Sequence, residues 1–234
     1  MRCPGASTRE ERSVIKVAIL FHSRSGNTHQ LAVAAAAAAV KAGAEAQLYR
    51  VPDLPNPIVL DRKVYAELNA ETADVPVATM ADLVAADAIM IGTPVHFGLP
   101  APQIIDFIDH SGPVAIPGDL ANKVVSVFAS ASMPHAGAQT AILALHNVIC
   151  HWGSLIVPNG SSVAVLGLPN NGAPYGTCSV SRHEASNVHE DNLAAIEYQA
   201  LRLVEVATAF KIGREQTTSA IQYVGPDVLK KYDL

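Results

Sequence analysis

The reading of residues 14–51, "VIKVAILFHSRSGNTHQLAVAAAAAAVKAGAEAQLYRV", decides the fold. Val14 to Phe21 is β-branched and nearly all apolar, which predicts a strand buried on both faces, as in a parallel sheet. Asn27 to Ala42 is alanine-rich and predicts a helix, with Gly43 as its C-terminal stop. Ala44 to Val51 predicts a second strand. Strand, polar turn, helix, strand is a βαβ unit, for which the right-handed crossover is expected. Between the first strand and the helix lie six small or polar residues, Ser23 to Thr28. They read either as an ordinary N-cap turn or as a cradle for an anion.

The same alternation continues outward from this unit. Pro52 to Ala81 reads as a long surface connection with one helical turn, and Met80 to Ala85 as a short helix. Strands are expected at Asp87–Val95, Asn122–Ser130 and Gly153–Asn159. Helices are expected at Pro102–His110, Gly137–Trp152 and His189–Lys211. Ser161 to Asn187 is irregular, broken by Gly and Pro. Five strands alternating with helices imply a doubly wound α/β sandwich. Residues 1–13 read as a loose N-terminal extension, 14–211 as one domain and 212–234 as a tail.

Composition narrows the class of function. A net charge of −5 over 234 residues gives no support to nucleic-acid or anionic-membrane binding. Cys3, Cys150 and Cys178 are scattered, so neither a disulfide framework nor a metal-binding pair is expected, and the thiols point to a reducing, cytoplasmic compartment. The apolar stretches are short and interrupted, so no integral membrane span is expected.

In doubly wound sheets ligands sit at the carboxyl ends of the strands, where strand order reverses. That rule selects Ser23–Thr28, Thr93–Gly98 and Ser130–Gly137. The first loop has neither GxGxxG nor GxxxxGK[ST] spacing. A neutral set of hydroxyls and amides there suits a phosphate monoester. In the second, Thr93-Pro94 is expected to turn out of the sheet, because proline cannot continue the ladder. The loop then either presents Phe97 and backbone amides to a flat ligand or simply tucks Phe97 into the core. The third loop lets backbone approach a ring edge, and His135 is either a contact or solvated. His151 closes a helix beside Trp152, either as a structural terminal residue or as a donor to a carbonyl gaining negative charge.

"SRSGNT", "GTPVHFG", "FASASMPHAGAQTAILALHNVICHWGSLIVP", "NNGAPYG" and "ALRLVEVATAF" occur in that order. Together they resemble the tryptophan-repressor-binding-protein family of flavodoxin-like NAD(P)H:quinone oxidoreductases, over Ile15 to Lys211. The resemblance implies a flavodoxin-like, doubly wound, five-stranded parallel sheet with helices on both faces. It implies FMN as cofactor, NADH or NADPH as co-substrate and a quinone as acceptor, reduced by ping-pong transfer of two electrons. An FMN-binding electron-transfer module without its own nicotinamide site is the alternative. By resemblance Ser23, Arg24, Ser25, Gly26, Asn27 and Thr28 hold the phosphate. Thr93, Pro94, Val95, His96, Phe97 and Gly98, with Ser130, Ala131, Ser132, His135 and Gly137, embrace the flavin ring. His151 falls where the family places a histidine near the flavin, often from a neighbouring subunit of a homotetramer. Val95 and His96 stand where the family usually has Thr and Arg.

Overall fold

The computed structural model describes residues 14–57, 59 and 61–231, so the expectation for residues 1–13 lies outside the described part of the chain. Five strands form a parallel path: β1 (Lys16–Phe21), β2 (Glu45–Arg50), β3 (Ala88–His96), β5 (Val124–Ala131) and β6 (Leu155–Ile156), in the order β2-β1-β3-β5-β6. Two short strands are added, β4 (Leu99–Pro100) on β3 and β7 (Cys178–Val180) on β5. Order reverses between β1 and β3, which fixes the carboxyl ends of those two strands as the place for a ligand.

The period-two alternation of β1 divides the core. Val17, Ile19 and Phe21 face α1 (Asn27–Lys41) and α7 (Glu190–Glu215), whereas Ala18 and Leu20 face α3 (Met80–Ala85), α4 (Pro102–Asp109) and α6 (Ala138–His151). The alanine run serves this packing. Ala32, Ala35 and Ala39 of α1 are fully buried at helical spacing, and small side chains let α1 lie close against α7.

Three departures from the sequence reading have local causes. Pro52–Ala81 contains a full ten-residue helix, α2 (Arg62–Glu71), capped by Asp61, whose carboxylate accepts from the amides of Lys63 and Val64. Only Leu68 of this helix is buried, so its apolar pattern is too sparse to reveal it. The strand expected at 153–159 is reduced to β6, and the remainder of that edge of β5 is taken by β7 after the irregular insertion. Pro94 does not end β3. Its residue pairs in register with Ser130, and Val95 and His96 then form a hairpin with Pro100 and Leu99. Phe97 and Gly98 make the turn at φ 53° and 82°, the positive values a tight hairpin requires.

Beyond Lys211 helix α7 continues by another turn to Glu215. The following segment folds back on the chain. The Gly225 amide donates to the Pro117 carbonyl at 3.1 Å, and Asn122 bonds the Tyr223 hydroxyl. Among the described residues no helix is long and apolar enough to cross a membrane.

Candidate functional site

Helix α1 begins at Gly26 in the left-handed region (φ 84°), with no side chain capping it and no acidic residue in its first turn. Its leading amides and positive dipole end therefore remain available to an anion. They open into a cleft of about 370 Å³. Three of its walls are the loops expected from the sequence: Ser23, Arg24, Ser25, Asn27 and Thr28; Pro94, Val95 and His96; Ser130, Ala131 and Ser132. The volume suits a small ligand.

The polar atoms of this cleft fit a phosphate. Ser23 Oγ and Arg24 Nε are buried and have no hydrogen-bond partner among the described residues. Among the described residues Arg24 is the only lysine or arginine on its lining. Unpaired buried donors beside free helix amides lack an acceptor of the kind a phosphate supplies.

Other expected residues act from outside the lining. Thr93 is fully buried; its Oγ1 donates to the Pro94 carbonyl at 2.8 Å and accepts from the Ala101 amide at 2.9 Å, pinning the hairpin to α4. Gly137 supports the third loop on the second, since a β-carbon there would lie 2.7 Å from Gly98 Cα. Phe97 stands wholly exposed at 107%. His135 is exposed at the tip of its loop. His151 ends α6 toward the amino ends of the strands, about 21 Å from that helix's start at 1.5 Å per residue, so a single chain does not bring it to the cleft.

Two further walls escaped the sequence reading. One is Asp61, Val64 and Tyr65 at the start of α2; the other is Ser181, His183, Glu184 and Ala185 after β7. Behind the first wall Asp53 gathers a polar cluster. Tyr65 donates its hydroxyl to Asp53 Oδ2 at 2.7 Å, and Gln103 Nε2 donates to Oδ1 at 3.3 Å. His22 Nε2 lies 3.7 Å from Asp53 Oδ1, while its Nδ1 bonds the Val51 carbonyl at 3.0 Å. Burial holds His22 below the usual imidazole range. Burial, reinforced by the positive charges of Arg24 and His22, pushes His96 down to about 4. At neutral pH His96 is thus an uncharged ring in the cleft.

A second cavity, about 410 Å³, lies between the 159–182 insertion and α7. Two of its carboxamides are spent on the fold: Asn171 Nδ2 donates to the Val165 and Asp191 carbonyls, and Asn192 Nδ2 to the Asn170 carbonyl.

Residues 15–167 match the family described as NADPH-dependent FMN reductase. The chain belongs to that family. A protein of Geotalea uraniireducens named NAD(P)H dehydrogenase (quinone) is 34% identical over 200 residues, covering 82% of this chain and 98% of its own length. A Brucella anthropi protein of the same name is 35% identical over 199 residues, covering 82% and 97%. Among solved structures, the flavodoxin, WrbA-like protein of Agrobacterium tumefaciens superposes with a TM-score of 0.58 at 22% identity, over 82% of this chain and 97% of that one. An archaeal flavodoxin gives 0.54 at 13%, over 82% and 99%. These likenesses establish the flavodoxin-like fold. Within the NADPH-dependent FMN reductase family frame, the matched span contains the first three walls and the α2 wall. The Ser181–Ala185 wall lies beyond it. Its long-range pairing through β7 to β5, with the Asn27 Nδ2 bond to the Glu184 carbonyl, brings that wall to the cleft.

Proposed function

We propose that this protein is an FMN-dependent NAD(P)H:quinone oxidoreductase. The observation that carries the reading is the convergence of an uncapped helix terminus, orphaned Ser23 and Arg24 donors, and two ring-height loops on one cleft. The names borne by the relatives at 34% and 35% identity agree with it.

In this reading Ser23 to Thr28 bind the phosphate through backbone amides and hydroxyls, with Arg24 supplying the one full positive charge. Pro94–His96 and Ser130–Ser132 hold a flat ring between them and exclude water from its edge. Bound flavin supplies the two-electron redox chemistry, and the protein supplies position and electrostatics. His96, neutral at working pH, offers a ring N–H without adding charge. Amide donors aimed at the ring stabilise negative charge gained on reduction.

The finer reading is a cytoplasmic homotetramer. Its support is the exposed apolar rim beside the cleft, with Phe97 at 107%, Leu99 at 57% and Met133 at 54% exposure, which a neighbouring subunit would cover. His151 would then reach a cleft from another subunit. Free Cys150 and Cys178 fit a reducing compartment.

The test begins with the visible absorption spectrum of the purified protein. NAD(P)H oxidation is then followed with and without benzoquinone. A flavin spectrum with quinone-dependent turnover supports the proposal. A protein that binds FMN yet oxidises no NAD(P)H would be an electron carrier instead.

A further inference from the structure

The segment joining β7 to α7 is bent in a way ordinary loops avoid. Arg182, His183 and Ser186 sit at φ 52°, 66° and 47°, three non-glycine residues in the left-handed region within five positions. Such strain persists only where surrounding contacts hold it. Here those contacts are with the first loop. The Ser186 amide donates to the Ser25 carbonyl at 2.8 Å. Asn27 Nδ2 donates to the Glu184 carbonyl at 2.9 Å, and Asn27 Oδ1 accepts from the Asn187 amide at 2.8 Å. The Ser186 side chain occupies the place where a β-carbon on residue 26 would stand. Asn27 is 3% exposed and its carboxamide is consumed by this joint.

We infer that residues 182–187 form a strap that closes the phosphate end of the cleft and selects a flavin terminating in a monophosphate. The inference rests on the FMN reading above. FAD is FMN extended through a second phosphate to adenosine, so it needs an open path beyond the first phosphate. The strap stands in that path, joined to the first loop at Ser25 and Asn27. Charge acts in the same direction. Glu184 and Asp61 line the same cleft, with Arg24 the only lysine or arginine on its lining among the described residues. One phosphate is met by helix amides and Arg24. A second would be pushed toward the Glu184 carboxylate, which is fixed by Asn187 Nδ2 at 2.8 Å.

The experiment titrates deflavinated full-length protein with FMN and with purified FAD, reading quenching of flavin fluorescence. FMN is expected to bind tighter by roughly 100-fold or more. Replacing Glu184, Ala185 and Ser186 together by glycine is expected to narrow that ratio by about tenfold, chiefly by tightening FAD. Circular dichroism checks that this variant is folded. Should it not fold, Glu184→Gln alone decides, with FAD affinity expected to rise about threefold and FMN affinity to stay put. Equal binding of the two flavins by the unmodified protein overturns the strap, as does an unchanged ratio in a folded variant. Absence of any FMN binding would instead overturn the cofactor reading, a separate result.

Discussion

Gly137 rests directly on Gly98: a β-carbon at position 137 would lie 2.7 Å from Gly98 Cα, and both residues have φ of 82°. The third loop is therefore seated backbone-on-backbone against the second. Gly137→Ala meets both a backbone collision and the left-handed penalty of about 1–2 kcal/mol. Gly98→Ala meets only the penalty, because nothing stands within 4 Å of its β-carbon. The expected outcome is a loss of stability in both, larger in Gly137→Ala by the cost of the collision, measured by urea unfolding. Only Gly137→Ala should weaken FMN binding, by about tenfold, because only it pries the ring-holding loops apart.

The pH dependence of stability follows from His96 and His22. The folded-state pKa of His96 is about 4, below the ordinary 6.5 that the unfolded chain regains. Between these values the unfolded state binds more protons, so stability rises with pH across that window and is lost as pH falls from 6.5 toward 4. Buried His22 shifts in the same direction. Denaturant midpoints should drop between about pH 7 and about pH 4.5, and His96→Gln should flatten the profile. An unchanged slope in that variant would show that His96 is not protected from protons in the native cleft.

Most of the scaffold was legible because its signals are local. The apolar run of β1, the alanine helix and the switch-point rule together point to three loops that line the cleft. The rest depends on distant partners. Helix α2 buries only Leu68, so its periodicity is silent, and Tyr65 reached the cleft unannounced. The strap residues carry no motif, and β7 places them by pairing Cys178–Val180 with Ala129–Ala131. Phe97 shows the converse limit. Its residue type fitted a core position equally well, and the hairpin geometry turned it out to 107% exposure.

Gln199 is the buried joint between α7 and the sheet. Its Nε2 donates to Ser126 Oγ at 2.6 Å and to the Val127 carbonyl at 2.8 Å, and its Oε1 accepts from the Thr177 amide at 2.8 Å. Gln199→Leu keeps the bulk but orphans the Thr177 amide next to β7. The expected loss is about 2 kcal/mol, since an unsatisfied buried group costs roughly 1–3 kcal/mol. Chemical denaturation measures it. A change under half that size would mean water or relaxation satisfies Thr177.

The two described thiols should differ sharply in reactivity. Burial pushes Cys178 up to about 12, leaving almost no thiolate at neutral pH, whereas Cys150 is exposed on α6. Iodoacetamide on the native protein, read by peptide mass spectrometry, should alkylate Cys150 and spare Cys178 until denaturant is added. Equal labelling would mean that β7 opens readily, and with it the strap that follows.

His151 offers the sharpest test of the proposed assembly, because α6 carries it about 21 Å from the helix start that faces its own cleft. If it assists the reaction, it does so in another subunit. Two variants can then complement each other. His151→Ala keeps an intact cleft, and Ser25→Asp puts a carboxylate into the phosphate cradle while keeping His151. Each alone should be severely impaired. Co-assembled at equal ratio, a working site needs an intact cleft from one subunit and an intact His151 from its neighbour. Random mixing gives that pairing in about a quarter of sites, so activity should recover to about that fraction of the unmodified enzyme. A mixture no more active than the mean of its parents would remove His151 from the reaction between subunits. Full activity in His151→Ala itself would remove it from the reaction altogether.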